Sequence, residues 1–207
     1  MRLLKPLLVW FTNTKFYAWL LLSVIPYIRF TTYYTSFRGW KYHRGYNLLK
    51  PGHILLARDD KKLTTVLIGG MFTHAAFCVG KFGTEQYPNF EVAEMTHENF
   101  THSHFFDICN QADRVVILEC KDFDPEYTQK VIEKCLSFKD ATYNVQFDLG
   151  IKALYCSELV YQADYERRLQ VNLEDLAGLG QQYISPTGLY KGKNVVVIWD
   201  SSAESGN

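Results

Sequence analysis

Cys156 lies in the run Tyr155-Cys156-Ser157-Glu158-Leu159-Val160-Tyr161, and the residues after it decide what its thiol can do. Leu159, Val160 and Ala163 form an apolar stripe at helical spacing that nothing breaks before Arg167 and Arg168, so the pattern predicts a helix with Cys156 in its first turn. A sulfur there faces unpaired N–H groups and the positive end of the helix dipole, which favour the nucleophilic thiolate over the thiol. A candidate general base, His74, occurs in Met71-Phe72-Thr73-His74-Ala75-Ala76-Phe77. Together they suggest a Cys-His hydrolase: the base shares or takes the thiol proton, and the thiolate attacks an acyl carbon to give a thioester.

The elements that must position these groups follow from period and punctuation. Phe72 to Val79 reads as a strand with His74, Ala76 and Cys78 on one face and Thr73, Ala75, Phe77 and Val79 on the other. Phe90 to Met95 reads as the returning strand, where Glu94 shares a mostly apolar face with Val92. A carboxylate buried there needs a partner, and His74 is the obvious one; a small register shift would bring Glu91 or Glu98 instead. Further strands are predicted at 53–57, 114–119 and 194–199, and a short helix from Leu63 to Ile68. Asp124 as N-cap with Pro125 behind it starts a helix whose apolar face carries Tyr127, Val131, Ile132, Cys135 and Leu136. This is an α+β pattern without internal repeats.

Composition bounds the remaining choices. At 207 residues and 47% hydrophobic the chain suits one globular domain. Zero net charge hides an asymmetry: residues 1 to 50 hold eight Lys or Arg and no Asp or Glu, while the remainder holds 14 basic and 22 acidic residues. A basic arm therefore precedes an acidic body, which argues against nucleic acid as a partner. Five cysteines with no C-x-x-C pair argue against a disulfide framework and fit a reducing, cytoplasmic setting. His97, His102 and His104 are read as solvated histidines near a strand edge in preference to metal ligands, and no cofactor is expected.

The arm, residues 1–47, is read as one or two helices rich in Trp, Tyr, Phe and Leu followed by an irregular connection over 31–50. Its longest apolar run, Phe16 to Ile28, has 13 residues, short of the roughly 20 that span a bilayer. Two readings of residues 1–38 stay open: a helix peripheral to a membrane surface, with basic residues near anionic head groups, or a helix packed on the domain's own core. The body is placed at 48–200. Asp200 to Asn207 reads as a disordered tail, assigned as 201–207 at the domain level.

Taken in order, Pro51-Gly52-His53-Ile54-Leu55-Leu56, Thr73-His74-Ala75-Ala76-Phe77, Val92-Ala93-Glu94-Met95, Tyr155-Cys156-Ser157-Glu158-Leu159-Val160 and Ile184-Ser185-Pro186 resemble the circularly permuted NlpC-type papain-like hydrolases, especially their YiiX/YebB-like branch. The resemblance covers roughly residues 48 to 200 and implies an antiparallel sheet packed against helices. His74 precedes Cys156 by 82 residues, the order that permutation implies. The resemblance assigns Cys156 as nucleophile, His74 as base, Glu94 as the residue orienting the imidazole, and Tyr155 as a contributor to the site. The family usually has Gly-Asp where this chain has Gly52-His53, a departure expected at the site's edge.

Three function classes follow. One is a cysteine peptidase or amidase. A second, suggested by the lecithin:retinol acyltransferase relatives of the fold, is a lipid-directed acyl hydrolase or acyltransferase held at a membrane by the arm. The third is a membrane-bound binding module without catalysis. The preferred reading is a thiol hydrolase of an amide or ester bond in a peptide or lipid.

Overall fold

The computed structural model describes residues 10–30, 37, 39–63, 65, 70–83, 88–176 and 180–203. Its centre is a six-stranded antiparallel sheet built from β1 (Ile54–Arg58), β2 (His74–Gly83), β3 (Pro88–Thr96), β4 (Asn99–His104), β5 (Arg114–Cys120) and β10 (Val195–Asp200), in the order β10-β5-β1-β2-β3-β4. The central strands read as continuous apolar runs because both faces are covered. Ile54, Leu56 and Leu118 pack on one side, and Leu55, Val115 and Ile117 on the other.

The first side carries α4 (Pro125–Leu136) and α5 (Cys156–Ala163), whose Val131, Cys135, Leu159 and Ala163 meet Ala75 and Phe77 of β2. The Asp124 cap forms as expected: its Oδ1 accepts the Tyr127 N–H at 2.8 Å. Short pairs β6 (Thr142–Tyr143) with β7 (Ala153–Leu154), and β8 (Glu174–Asp175) with β9 (Gln182–Tyr183), lead into α5 and α6 (Pro186–Tyr190).

The second side is covered by α3 (Phe105–Gln111) and by a helix over Gly39–Leu48, α2, which corrects the irregular connection expected there. Two glycines and several aromatics make that segment a poor helix by propensity, and tertiary packing overrides it. Tyr42 stacks on Phe105 at 5.5 Å. Gly45 lies against Trp199, where an added Cβ would come within 2.8 Å of the indole.

Ahead of α2, helix α1 (Lys15–Ser23) buries none of its residues, and a 3-10 turn follows at Ile25–Tyr27. No helix among the described residues is long and apolar enough to cross a membrane. The helix expected at Leu63–Ile68 lies mostly outside the described residues, as do residues 1–9 and 31–36 of the arm.

The expected tail does not begin at Asp200. Arg114 binds both Asp200 oxygens, at 3.1 and 2.6 Å, and buried Ser201 accepts the Val115 N–H at 2.9 Å. Residues 204–207 lie outside the described part.

Candidate active site

Helix α5 begins at Cys156, which puts the sulfur at the first-turn position expected of it. β2 begins at His74, and strand register does the rest. Ala76 pairs with Glu94 across β2 and β3, so His74 and Glu94 are diagonal neighbours on one face. Glu94 Oε2 lies 2.5 Å from His74 Nε2. Its other oxygen accepts a hydrogen bond from the Ser103 hydroxyl on β4. The alternatives are engaged elsewhere: Glu91 pairs with His102, and Glu98 lies 4.0 Å from His97.

With Nε2 directed at Glu94, Nδ1 is the ring nitrogen left for Cys156, and the two side chains interact closely enough to shift each other's proton affinity. Burial by itself pushes the Cys156 thiol up. The hydrogen bond and charge of His74, together with the N–H groups of Ala75 and Ser157, outweigh it and hold the thiol below its ordinary value. Burial likewise works against imidazolium, yet Cys156 and Glu94 together raise His74 to about 10. Glu94 is held below the usual carboxylate range against its own burial by His74, by Ser103 and by the Lys62 ammonium. An imidazolium at His74 thus favours both the thiolate and the carboxylate, and each of them favours it. The other cysteines do the opposite, since burial pushes Cys78 and Cys135 up to about 12.

Cys156 and Glu94 are buried, whereas the His74 side chain keeps 28% of its surface exposed. The sulfur borders a cleft walled by Tyr143, Phe147, Tyr155, Tyr183, Ile184 and Pro186. A larger hollow lined by Tyr46, Lys50, Lys81 and Phe90 shares no residue with it. Tyr155 belongs to the cleft wall. Its hydroxyl accepts the Ile184 N–H at 2.8 Å, and its ring packs on Phe147 with centroids 5.3 Å apart. His53 is not at the site's edge. It sits where β1 begins, at the end of that strand away from His74, with Nδ1 accepting the Lys50 N–H and Nε2 3.9 Å from Glu119.

Four residues that sequence reasoning did not assign also matter here. Ser103 anchors Glu94, and no sequence signal marks it. Tyr143 stands beside Cys156, and burial first, then the Cys156 and Tyr155 charges, raise its phenol. Thr187 accepts the N–H groups of Met71 and Phe72, at 2.9 and 3.1 Å, tying α6 to the entry of β2. Glu158 is fully buried three residues after the N-cap Tyr155, a spacing that marks a capping carboxylate.

Glu158 accepts the Gly150 N–H at 2.6 Å and the Tyr155 N–H at 3.4 Å, which fastens the 144–150 loop carrying Phe147. Burial outweighs these N–H groups and pushes the carboxyl from 4.5 up to about 7. The folded state therefore binds this proton more tightly than the unfolded chain does. The stabilisation is present in full at acid pH, below the unfolded value, and is lost as pH rises through the folded one. Thermal melts should show wild type losing stability relative to Glu158→Gln between about pH 5 and about pH 8. A pH-independent difference would contradict this assignment.

The sequence model of the permuted papain-like amidase enzymes, YaeF/YiiX, C92 family, matches residues 48–199. The chain belongs to that family. Among solved structures, this member of the family is similar to the metalloprotein yiiX from Escherichia coli O157:H7. The TM-score is 0.55 at 13% identity, covering 72% of this chain and 95% of that one. This likeness supports the shared fold. No curated protein sequence matches the chain. Among the described residues, no group of three or more His, Cys, Asp or Glu is placed to hold a metal ion. The matched region starts at residue 48 and so leaves out all of α2 but its last residue, although α2 packs on the body's core.

Proposed function

We propose that this family member is a cysteine hydrolase of an amide or ester bond, with Cys156 as nucleophile, His74 as acid and base, and Glu94 as the residue that orients the imidazole. The observation that carries the reading is the contact chain Cys156, His74, Glu94, Ser103, which begins at the first turn of a helix. The Cys156 thiolate attacks the acyl carbon, and the carbonyl π pair moves onto oxygen. N–H groups at the start of α5 are the candidate donors to that oxyanion. On collapse, His74 gives its proton to the departing amine or alkoxide and a thioester remains. Water, deprotonated by His74, then attacks the thioester, releasing the acid and returning the thiol proton to the pair. Tyr155 acts as a positioning residue that shapes the acyl side of the cleft.

The test is the pH dependence of iodoacetamide alkylation at each cysteine, read by peptide mass spectrometry, followed by intact-mass trapping with an activated ester. Cys156 should be alkylated with an apparent pKa well below the roughly 8.5 of a free thiol, and it alone should gain the acyl mass. Alkylation of Cys156 no faster than that of Cys78 or Cys135 would remove the basis for catalysis and favour a binding module.

A further inference from the structure

α1 is an apolar helix that buries none of its residues fully. Among the described residues of the arm, Trp10, Phe16, Trp19, Tyr27 and Phe30 are each more than half exposed, although aromatic surface of that size is normally buried. The arm's own charge has one sign, for no Asp or Glu occurs before Asp59 while Lys15 begins α1 and Arg29 follows its turn.

The arm is also fixed in place. Tyr27 Oη lies 3.0 Å from His97 Nε2 at the β3–β4 turn, Phe30 N–H donates to the Lys61 carbonyl at 2.8 Å, and Leu63 N–H donates to the Ile28 carbonyl at 3.1 Å. Arg29 bridges to Lys62, the residue whose ammonium helps hold Glu94. At the helix itself, Tyr17 interacts with Tyr143, which stands beside Cys156. Tyr27 and Phe30, at the end of the arm's turn, are thus tethered to the β3–β4 turn that follows Glu94 and to the segment after β1.

We propose that α1 and the turn after it dock on the surface of an anionic bilayer and hold the Cys156 cleft at the lipid interface. At about 1.5 Å per residue, α1 is roughly 14 Å long and cannot span a core of about 30 Å. It therefore lies in the interface plane, with Trp and Tyr at head-group level and the cations against anionic phosphate. A second copy of the chain fits this face less well, because pairing two arms would set like charges together. The docking rests on the arm alone. The consequence that substrates are drawn from the bilayer rests also on the hydrolase reading.

The full-length protein would be sedimented with vesicles of phosphatidylcholine alone and of phosphatidylcholine mixed with phosphatidylglycerol. Wild type should partition onto the mixed vesicles, bind them less at high salt, and leave the neutral ones largely free. Phe16→Ser/Trp19→Ser should weaken partitioning at least about tenfold, because both side chains lose interfacial burial. Lys15→Glu should weaken it by a smaller, salt-sensitive factor. The double variant should keep its activity on a soluble activated ester, which separates loss of docking from loss of folding. Cys156→Ala should bind as wild type does, so binding and reaction are read independently. Equal binding to both vesicle types, wild-type binding by the double variant, or a concentration-dependent dimer abolished by that variant would each overturn the proposal.

Discussion

Cys156→Ala should lower hydrolysis of an activated ester by about 10³- to 10⁴-fold or more, to the uncatalysed background, while the protein stays folded. The large effect follows from the site's construction, since Cys78, Cys109, Cys120 and Cys135 are buried and none has a base beside it that lowers its pKa. Cys156→Ser should fail almost as badly. A hydroxyl has a far higher pKa than a thiol, and a pair tuned to hold a thiolate cannot ionise it. His74→Ala should also cost several orders of magnitude and should move alkylation of Cys156 to higher pH, because the largest influence lowering that thiol is the imidazole. Combining His74→Ala with Cys156→Ala should add little to either alone, as residues acting as one unit are not additive. The outcome that would sink the assignment is a Cys156→Ala protein that still turns over ester and still acquires an acyl mass at another residue.

The parts of the site that were legible in the sequence are those specified by local rules. Cys156 could be placed because the apolar stripe after it has a helical period and its start is polar. His74 and Glu94 could be placed on facing strands because side-chain direction has period two, and burial leaves a carboxylate beside Val92 in need of a partner. Their register was not fixed locally. It is settled by the whole β2–β3 ladder, including its irregularity between Cys78 and Gly80, which shifts Glu91 out of step. Ser103 was invisible for the same reason, since it reaches Glu94 only through the β3–β4 pairing of Val92 with Ser103. α2 was missed because its glycines and aromatics argue against a helix until Trp199, some 150 residues later in the chain, supplies the surface they fit. The order at Asp200 and Ser201 likewise depends on Arg114 and Val115, 86 residues away in both cases.

Glu94→Gln should cost about 10²- to 10³-fold in kcat/KM, most of it in kcat. In the proposed role the carboxylate positions the imidazole and acts on substrate only through it. An amide in its place can turn its NH₂ toward Nε2 and stabilise the wrong tautomer, and it removes the charge that sustains imidazolium. The pH profile separates this from a merely structural loss. In wild type, Glu94 raises His74 directly and, through the imidazolium, helps hold Cys156 low. Without it the acid limb, set by ionisation of the thiol, should move to higher pH, and the basic limb, set by deprotonation of the imidazolium, should move lower. The active window should therefore narrow from both sides. Ser103→Ala, which leaves the carboxylate in place but frees one oxygen, should narrow it slightly and cost less than about tenfold, in the range of one lost hydrogen bond. If Glu94→Gln lowered the rate without moving either limb, while its melting temperature fell sharply, the residue would be a structural ion-pair partner and the orienting role would belong elsewhere.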